Sequence, residues 1–121
     1  MFYHDLTPFG VNMERLSAER LARLQAAMKR HNLAALLLTD WLNIRYATNT
    51  VFMLGLRATA IQRFVLVPVE GAPLICQREL SRKSKHRVRP FDAFMFAMRP
   101  PVATRDFVHQ VVAGLRELVP A

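Results

Sequence analysis

Residues 33–39 read LAALLLT, and residues 40–48 read DWLNIRYAT. The first stretch is a short, continuous apolar run. It follows directly on a helical pattern, which predicts a strand buried on both faces. Asp40 is placed to cap a single helical turn behind it. Upstream, Leu21, Leu24 and Met28 recur at helical spacing, with Glu19, Arg23, Ala26 and Arg30 on the far side. Ser17 is the expected N-cap of that helix, and His31 with Asn32 the expected stop, because Asn tolerates the left-handed C-terminal conformation. Residues 1–13 lack periodicity and are expected to form an irregular arm, leaving 14–121 as one domain.

Downstream, residues 47–60 show no clear period and read mostly as loop. Phe64 to Val69 and Leu74 to Gln77 predict a hairpin turned by Glu70 and Gly71. Pro68 and Pro73 lack a backbone donor and favour a strand edge or end. The basic run from Arg78 to Arg89 has weak helical character, and Phe91 to Ala97 is a candidate strand stopped by Pro100 and Pro101. A last helix is expected from Thr104, its N-cap, to Val119, with Phe107, Val111, Leu115 and Leu118 joined by Val108 and Val112 in a broad apolar arc. The pattern predicts an α/β domain, a mixed β-sheet flanked by helices. Four strands make a thin sheet for that class, so the chain is expected to stop short of the final elements.

With 121 residues, 52% hydrophobic and 21% charged, the composition is that of a globular domain and excludes general disorder. The single cysteine, Cys76, excludes a disulfide framework and multi-cysteine zinc patterns, so a reducing, cytoplasmic setting is expected. No run of about 18 apolar residues predicts a membrane span, and the N-terminus does not have the pattern of a signal peptide. Seventeen Lys and Arg against nine Asp and Glu give a net charge of +8, which permits nucleic-acid binding. The basic run at 78–90 has no interleaved aromatics, so nucleic acid is not the expected partner.

Motifs that carry chemistry are not found. There is no Gly-rich phosphate loop, no GxSxG and no HExxH. His4, His31, His86 and His109 are scattered, and Asp106 with His109 reads as a helix-capping acid beside a surface histidine. Cys76 lies in an apolar strand with no adjacent base and reads as an inert thiol. No catalytic residue and no metal ligand is assigned in this chain.

From Glu19 to Val69 the order is an ERLARLQAAMKR helix, a buried strand ending at Thr39, then Asn43-Ile44-Arg45-Tyr46-Ala47-Thr48, and after a gap RFVLVPVEGAP. This resembles the N-terminal domain of the creatinase/prolidase family, which includes aminopeptidase P and Xaa-Pro dipeptidases. Asn43, Ile44, Arg45 and Tyr46 match the family's N-I-x-Y segment. Asn49 and Thr50 stand where many members carry Gly and Phe, which leans toward creatinase-like or lyase-like relatives. The resemblance implies a homodimer and a separate catalytic domain of pita-bread fold. There two Asp, one His and two Glu hold two divalent metals (Mn, Co or Zn) in the metal-dependent members, while creatine-hydrolysing members work without metal; none is expected in this chain. It also implies that the loop after the motif reaches the neighbouring subunit's site, where Arg57 would contact a substrate carboxylate and Phe52 and Trp41 would wall the pocket. A purely structural reading of the motif has Asn43 turning or capping, with Ile44 and Tyr46 packed under the sheet. The expected function is that of a non-catalytic domain of such a hydrolase, contributing to dimerisation and the substrate pocket. The alternative is a basic α/β binding module for nucleic acid or an acidic protein.

Overall fold

The computed structural model describes residues 2–3, 6–51, 63–77, 86–91 and 100–119. Helix α1 spans Met13–Arg30. It starts at Met13, ahead of the expected Ser17, because the Asn12 side chain accepts the Arg15 N–H at 3.0 Å and Glu14 sits in the positive first turn. Its end is as expected. Asn32 takes a left-handed φ of 56°, its N–H reaches the Lys29 carbonyl, and Leu33 N–H reaches the Met28 carbonyl. That pair of bonds is a Schellman closure with Asn in the glycine position.

Strand β2, Ala35–Leu38, follows; β1 is the two-residue strand Phe2–Tyr3 inside the N-terminal arm. The arm also holds a 3-10 turn at Thr7–Phe9, so it is not wholly irregular. Helix α2, Trp41–Thr48, is capped by Asp40, whose carboxylate accepts the Leu42 and Asn43 N–H groups at 3.0 and 3.1 Å. It runs for eight residues, longer than the single turn expected, and closes on Asn49 at φ 55°. Strand β3, Thr50–Val51, then pairs antiparallel with β1.

The hairpin forms as predicted, from β4 (Phe64–Pro68) and β5 (Leu74–Gln77), with Gly71 at φ 96° in its turn. Gln25 of α1 donates to the Pro68 and Gly71 carbonyls at 3.0 and 2.8 Å, which fixes the turn against the helix. Strand β6, Arg87–Pro90, runs parallel to β5. It lies inside the basic run expected to be helical, and earlier than the expected strand from Phe91; residues 92–97 lie outside the described residues. Val88 packs on the core while Arg87 stays exposed, a strand alternation that the surrounding charges mask in sequence.

The main sheet has the order β2-β4-β5-β6. Among the described residues, strand β2 is therefore an edge strand. Leu36 and Leu38 pack inward, but Leu37 is 43% exposed, so the run is not buried on both faces. A continuous apolar run reports apolarity and not its place in the sheet. Helix α3, Pro100–Leu118, starts ahead of the expected Thr104, and the two prolines taken as a strand stop form its first turn. Their missing N–H groups are ones a helix start leaves unpaired anyway. Phe107, Val111, Leu115 and Leu118 face the sheet, while Val108 and Val112 are 53% and 40% exposed, which narrows the expected apolar arc.

The sheet is thus covered on both sides. Met28, Ile44, Ala47, Val65, Val67 and Ile75 form the core under α1 and α2. Phe64, Leu66, Leu74, Cys76 and Phe91 form the core under α3. Helix α3 comes close to the sheet at Gly114, where an added Cβ would lie 2.5 Å from Leu66 Cδ1. The fold is α/β, with a mixed four-stranded sheet and, among the described residues, three α-helices. Among those residues no helix is long and apolar enough to cross a membrane.

Candidate functional site

The NIRYAT segment is one helix with two faces. Ile44, Ala47 and Thr48 point into the core, whereas Trp41, Leu42 and Tyr46 point out. Tyr46 is 41% exposed and so does not pack under the sheet, as the structural reading of the motif had it; Ile44 does. Asn43 does not cap the helix. It is exposed, and its N–H is the one satisfied by Asp40. The Arg45 guanidinium stands 5.6 Å from the Trp41 ring centre, and Arg20 of α1 stands 5.6 Å from that of Tyr46.

At the C-terminal end of α2 a polar cluster is buried. The Thr48 hydroxyl donates to the Ile44 carbonyl at 2.7 Å, so its oxygen is left to accept from the Thr50 hydroxyl, also 2.7 Å away. Thr50 in turn accepts from Arg63, whose Nη1 meets its hydroxyl and whose Nη2 meets its carbonyl, both at 2.8 Å. Arg63 Nη1 also reaches Gln77 Oε1 at 3.5 Å. His86 Nε2 lies 2.9 Å from the Thr48 carbonyl, an atom that only accepts, so that nitrogen carries the proton. Thr50 is fully buried and Arg63 is 5% exposed. A guanidinium taken out of water is costly unless its donors are met, and here they converge on Thr50 and Gln77.

This geometry ties together the two ends of one chain segment. Thr50 leads into residues 51–62 and Arg63 leads out of them. Phe52 and Arg57 belong to that segment and lie outside the described residues. Trp41 sits in the first turn of α2, about 10 Å of helix rise from Thr48. It is therefore at the far end of the helix from the Thr50 stem.

Thr48 and Thr50 enter the sequence reading only through the motif and its departures, and His86 only as a scattered histidine; no site role is assigned from sequence to them, to Arg63 or to Gln77. The available signal is positional. Arg63 abuts the all-buried strand FVLVP, and the pairing of Phe64 with Cys76 sets Gln77 opposite Arg63. A charge held against a buried strand needs a partner, and register names it. Cys76 itself is fully buried, and that burial pushes its thiol up to about 12, with Arg89 opposing weakly, so it is a poor nucleophile. Asp106 is half-buried and His109 exposed on α3. Among the described residues, no group of three His, Cys, Asp or Glu side chains is placed to hold a metal ion.

A comparison with curated proteins found no match. Among protein-family models, that of the Creatinase/Prolidase N-terminal domain matches residues 20–119. The match runs from the middle of α1 through α3 and takes in the α2 motif, the hairpin and the buried polar cluster. This chain belongs to the creatinase/prolidase N-terminal domain family.

Proposed function

We propose that the chain is the non-catalytic N-terminal domain of a creatinase/prolidase-type hydrolase, such as an Xaa-Pro peptidase or a creatinase-like enzyme. In it, the domain pairs subunits in a homodimer and presents residues 51–62 to a partner's substrate pocket. The observation that supports this most is the bidentate closure of Arg63 on Thr50, which anchors both stems of the segment holding Phe52 and Arg57. A pocket wall contributed from another subunit has to be held in place, and a buried, charge-assisted contact at its base does that. Arg57 then grips a substrate carboxylate with its planar fork, and Phe52 lines the pocket beside it. Bond cleavage belongs to the separate pita-bread domain, where in metal-dependent members two divalent metals would activate water. The single buried thiol suits a reducing, cytoplasmic setting.

The test is steady-state kinetics on the hydrolase that carries this domain. Arg57→Ala lowers kcat/KM by roughly ten- to a hundredfold, and Arg57→Lys recovers only part, because a point charge does not reproduce the fork. Thermal melts of both variants match the parent. Unchanged kinetics overturns the pocket role. The isolated chain, given Mn, Co or Zn and Xaa-Pro dipeptides, turns nothing over, and metal-dependent cleavage by it would overturn the non-catalytic role.

A further inference from the structure

The outward face of α2 has a composition that the pocket role leaves unused. Trp41, Leu42, Arg45 and Tyr46 occupy one contiguous strip of the helix, and Leu42 is 48% exposed. Both rings are flanked by guanidiniums, Arg45 over Trp41 and Arg20 over Tyr46. A cation held over a ring spends none of its N–H donors there. No carboxylate stands at ion-pair distance from either arginine among the described residues. Glu19, Glu70 and Glu117 are paired with Arg15, Lys29 and the Arg87–Arg89 pair. The Asp40 carboxylate is taken up by the backbone N–H groups of the helix start. The chain as a whole carries +8.

We propose that this face of α2, with Arg20 beside it, docks an acidic segment of another protein. Carboxylates of that segment meet Arg20 and Arg45, and an apolar side chain covers Leu42. Charge complementarity identifies the occupant. Two guanidiniums that meet no carboxylate among the described residues of a basic chain attract one from outside, and Trp, Tyr and Arg are the residues that dominate binding energy at protein interfaces. A nucleic acid fits less well, because cations stand where bases would stack and the neighbour is an apolar leucine. The proposal is independent of the pocket role. It uses the outward strip of the helix and none of the Thr50–Arg63 contacts.

Trp41 is the one tryptophan of the chain, so its fluorescence reads this face directly. The probe is a synthetic peptide of repeated Glu-Glu-Leu-Phe units, titrated at about 150 mM salt. A saturable change in Trp41 emission is expected at roughly 10–100 μM peptide. Arg20→Gln with Arg45→Gln weakens binding at least about tenfold. Arg105→Gln with Arg116→Gln, an equal loss of charge on α3 at the other face of the sheet, changes it by no more than about twofold. Each single variant is measured beside the double with a thermal melt, so a folding defect in one leaves the other to decide. Three results overturn the proposal: no saturable change up to about millimolar peptide, equal loss in the Arg105–Arg116 double variant, or binding that survives removal of both Arg20 and Arg45. Oligothymidylate competing as well as the peptide assigns the face to nucleic acid and overturns it too.

Discussion

The two faces of the sheet are built differently. Under α3 the core is rich in aromatic rings. Phe64 meets Phe91 and Phe107 edge-on, with ring centres 5.1 and 5.0 Å away, and Gly114 lets the helix settle onto Leu66. Under α1 and α2 the core is aliphatic, and at its margin it turns polar, through Thr48, Thr50, Arg63 and Gln77. The α3 side is mainly apolar packing, with the Gln110 side-chain oxygen the one buried side-chain atom of α3 that meets no hydrogen-bond partner among the described residues. The α1–α2 side holds the stems of a chain segment on its inner surface and leaves a cationic, aromatic strip on its outer one. Function is therefore to be sought on the side where polar groups were kept in spite of the cost of burying them.

Four measurements sharpen or break that contrast. The largest effect is expected from Phe64→Ala, which removes the ring shared by both edge-to-face pairs from a fully buried site. It costs about 3–5 kcal/mol in urea unfolding. A loss under about 1 kcal/mol would mean that α3 does not rest on this cluster. Next is Arg63→Ala, which leaves Thr50 and Gln77 buried without their donor and costs about 2–3 kcal/mol. If it were neutral, the polar margin would be incidental and the contrast between the faces would fail.

Asp40→Ala removes the carboxylate that accepts two backbone N–H groups at the start of α2 and costs about 1 kcal/mol, with restoration by Asp40→Asn or Asp40→Ser. Failure of those replacements to restore the melt would move the role of Asp40 away from capping. The smallest effect at neutral pH concerns the titration of Cys76. Its folded thiol is raised from 9.0 to about 12 by burial, so it is protonated in both states near pH 7 and its titration changes nothing there. As pH climbs from about 9 to about 12 the unfolded thiol ionises first and stability falls. Urea midpoints across that range should drop more steeply in the parent than in Cys76→Ala. Parallel profiles would show that the thiol is not sealed in the α3-side core.

Elements fixed by local chemistry were legible in the sequence. The Asn32 stop, the Asp40 cap and the Glu70–Gly71 hairpin each depend on a few adjacent residues, and each is present. Features that depend on distant neighbours were not. Leu33 to Thr39 carries no mark of being at an edge, since what lies beside a strand is decided by the rest of the chain. Arg87 to Pro90 reads as part of a charged helix until β5 offers it a parallel partner. Pro100 and Pro101 read as a stop, although the same residues suit a helix start. At the candidate site, the α2 motif could be found because its order in the chain is distinctive. The Arg63 cluster was missed because a lone arginine is by default a surface residue, and only the strand register shows what it faces.

The Arg63–Thr50 contact has a consequence for how such domains diversify. A chain whose entry and exit are already fixed pays little for what lies between them. Doubling the length of the intervening stretch adds only about 0.6 kcal/mol of closure entropy. The stretch 52–62 can then be exchanged, lengthened or shortened without renegotiating the main sheet, provided the arginine and the threonine remain. On the proposed pocket role, the domain would be a socket into which specificity can be grafted. Transplanting the corresponding stretch from another member should preserve the melting behaviour while altering only what the grafted residues touch.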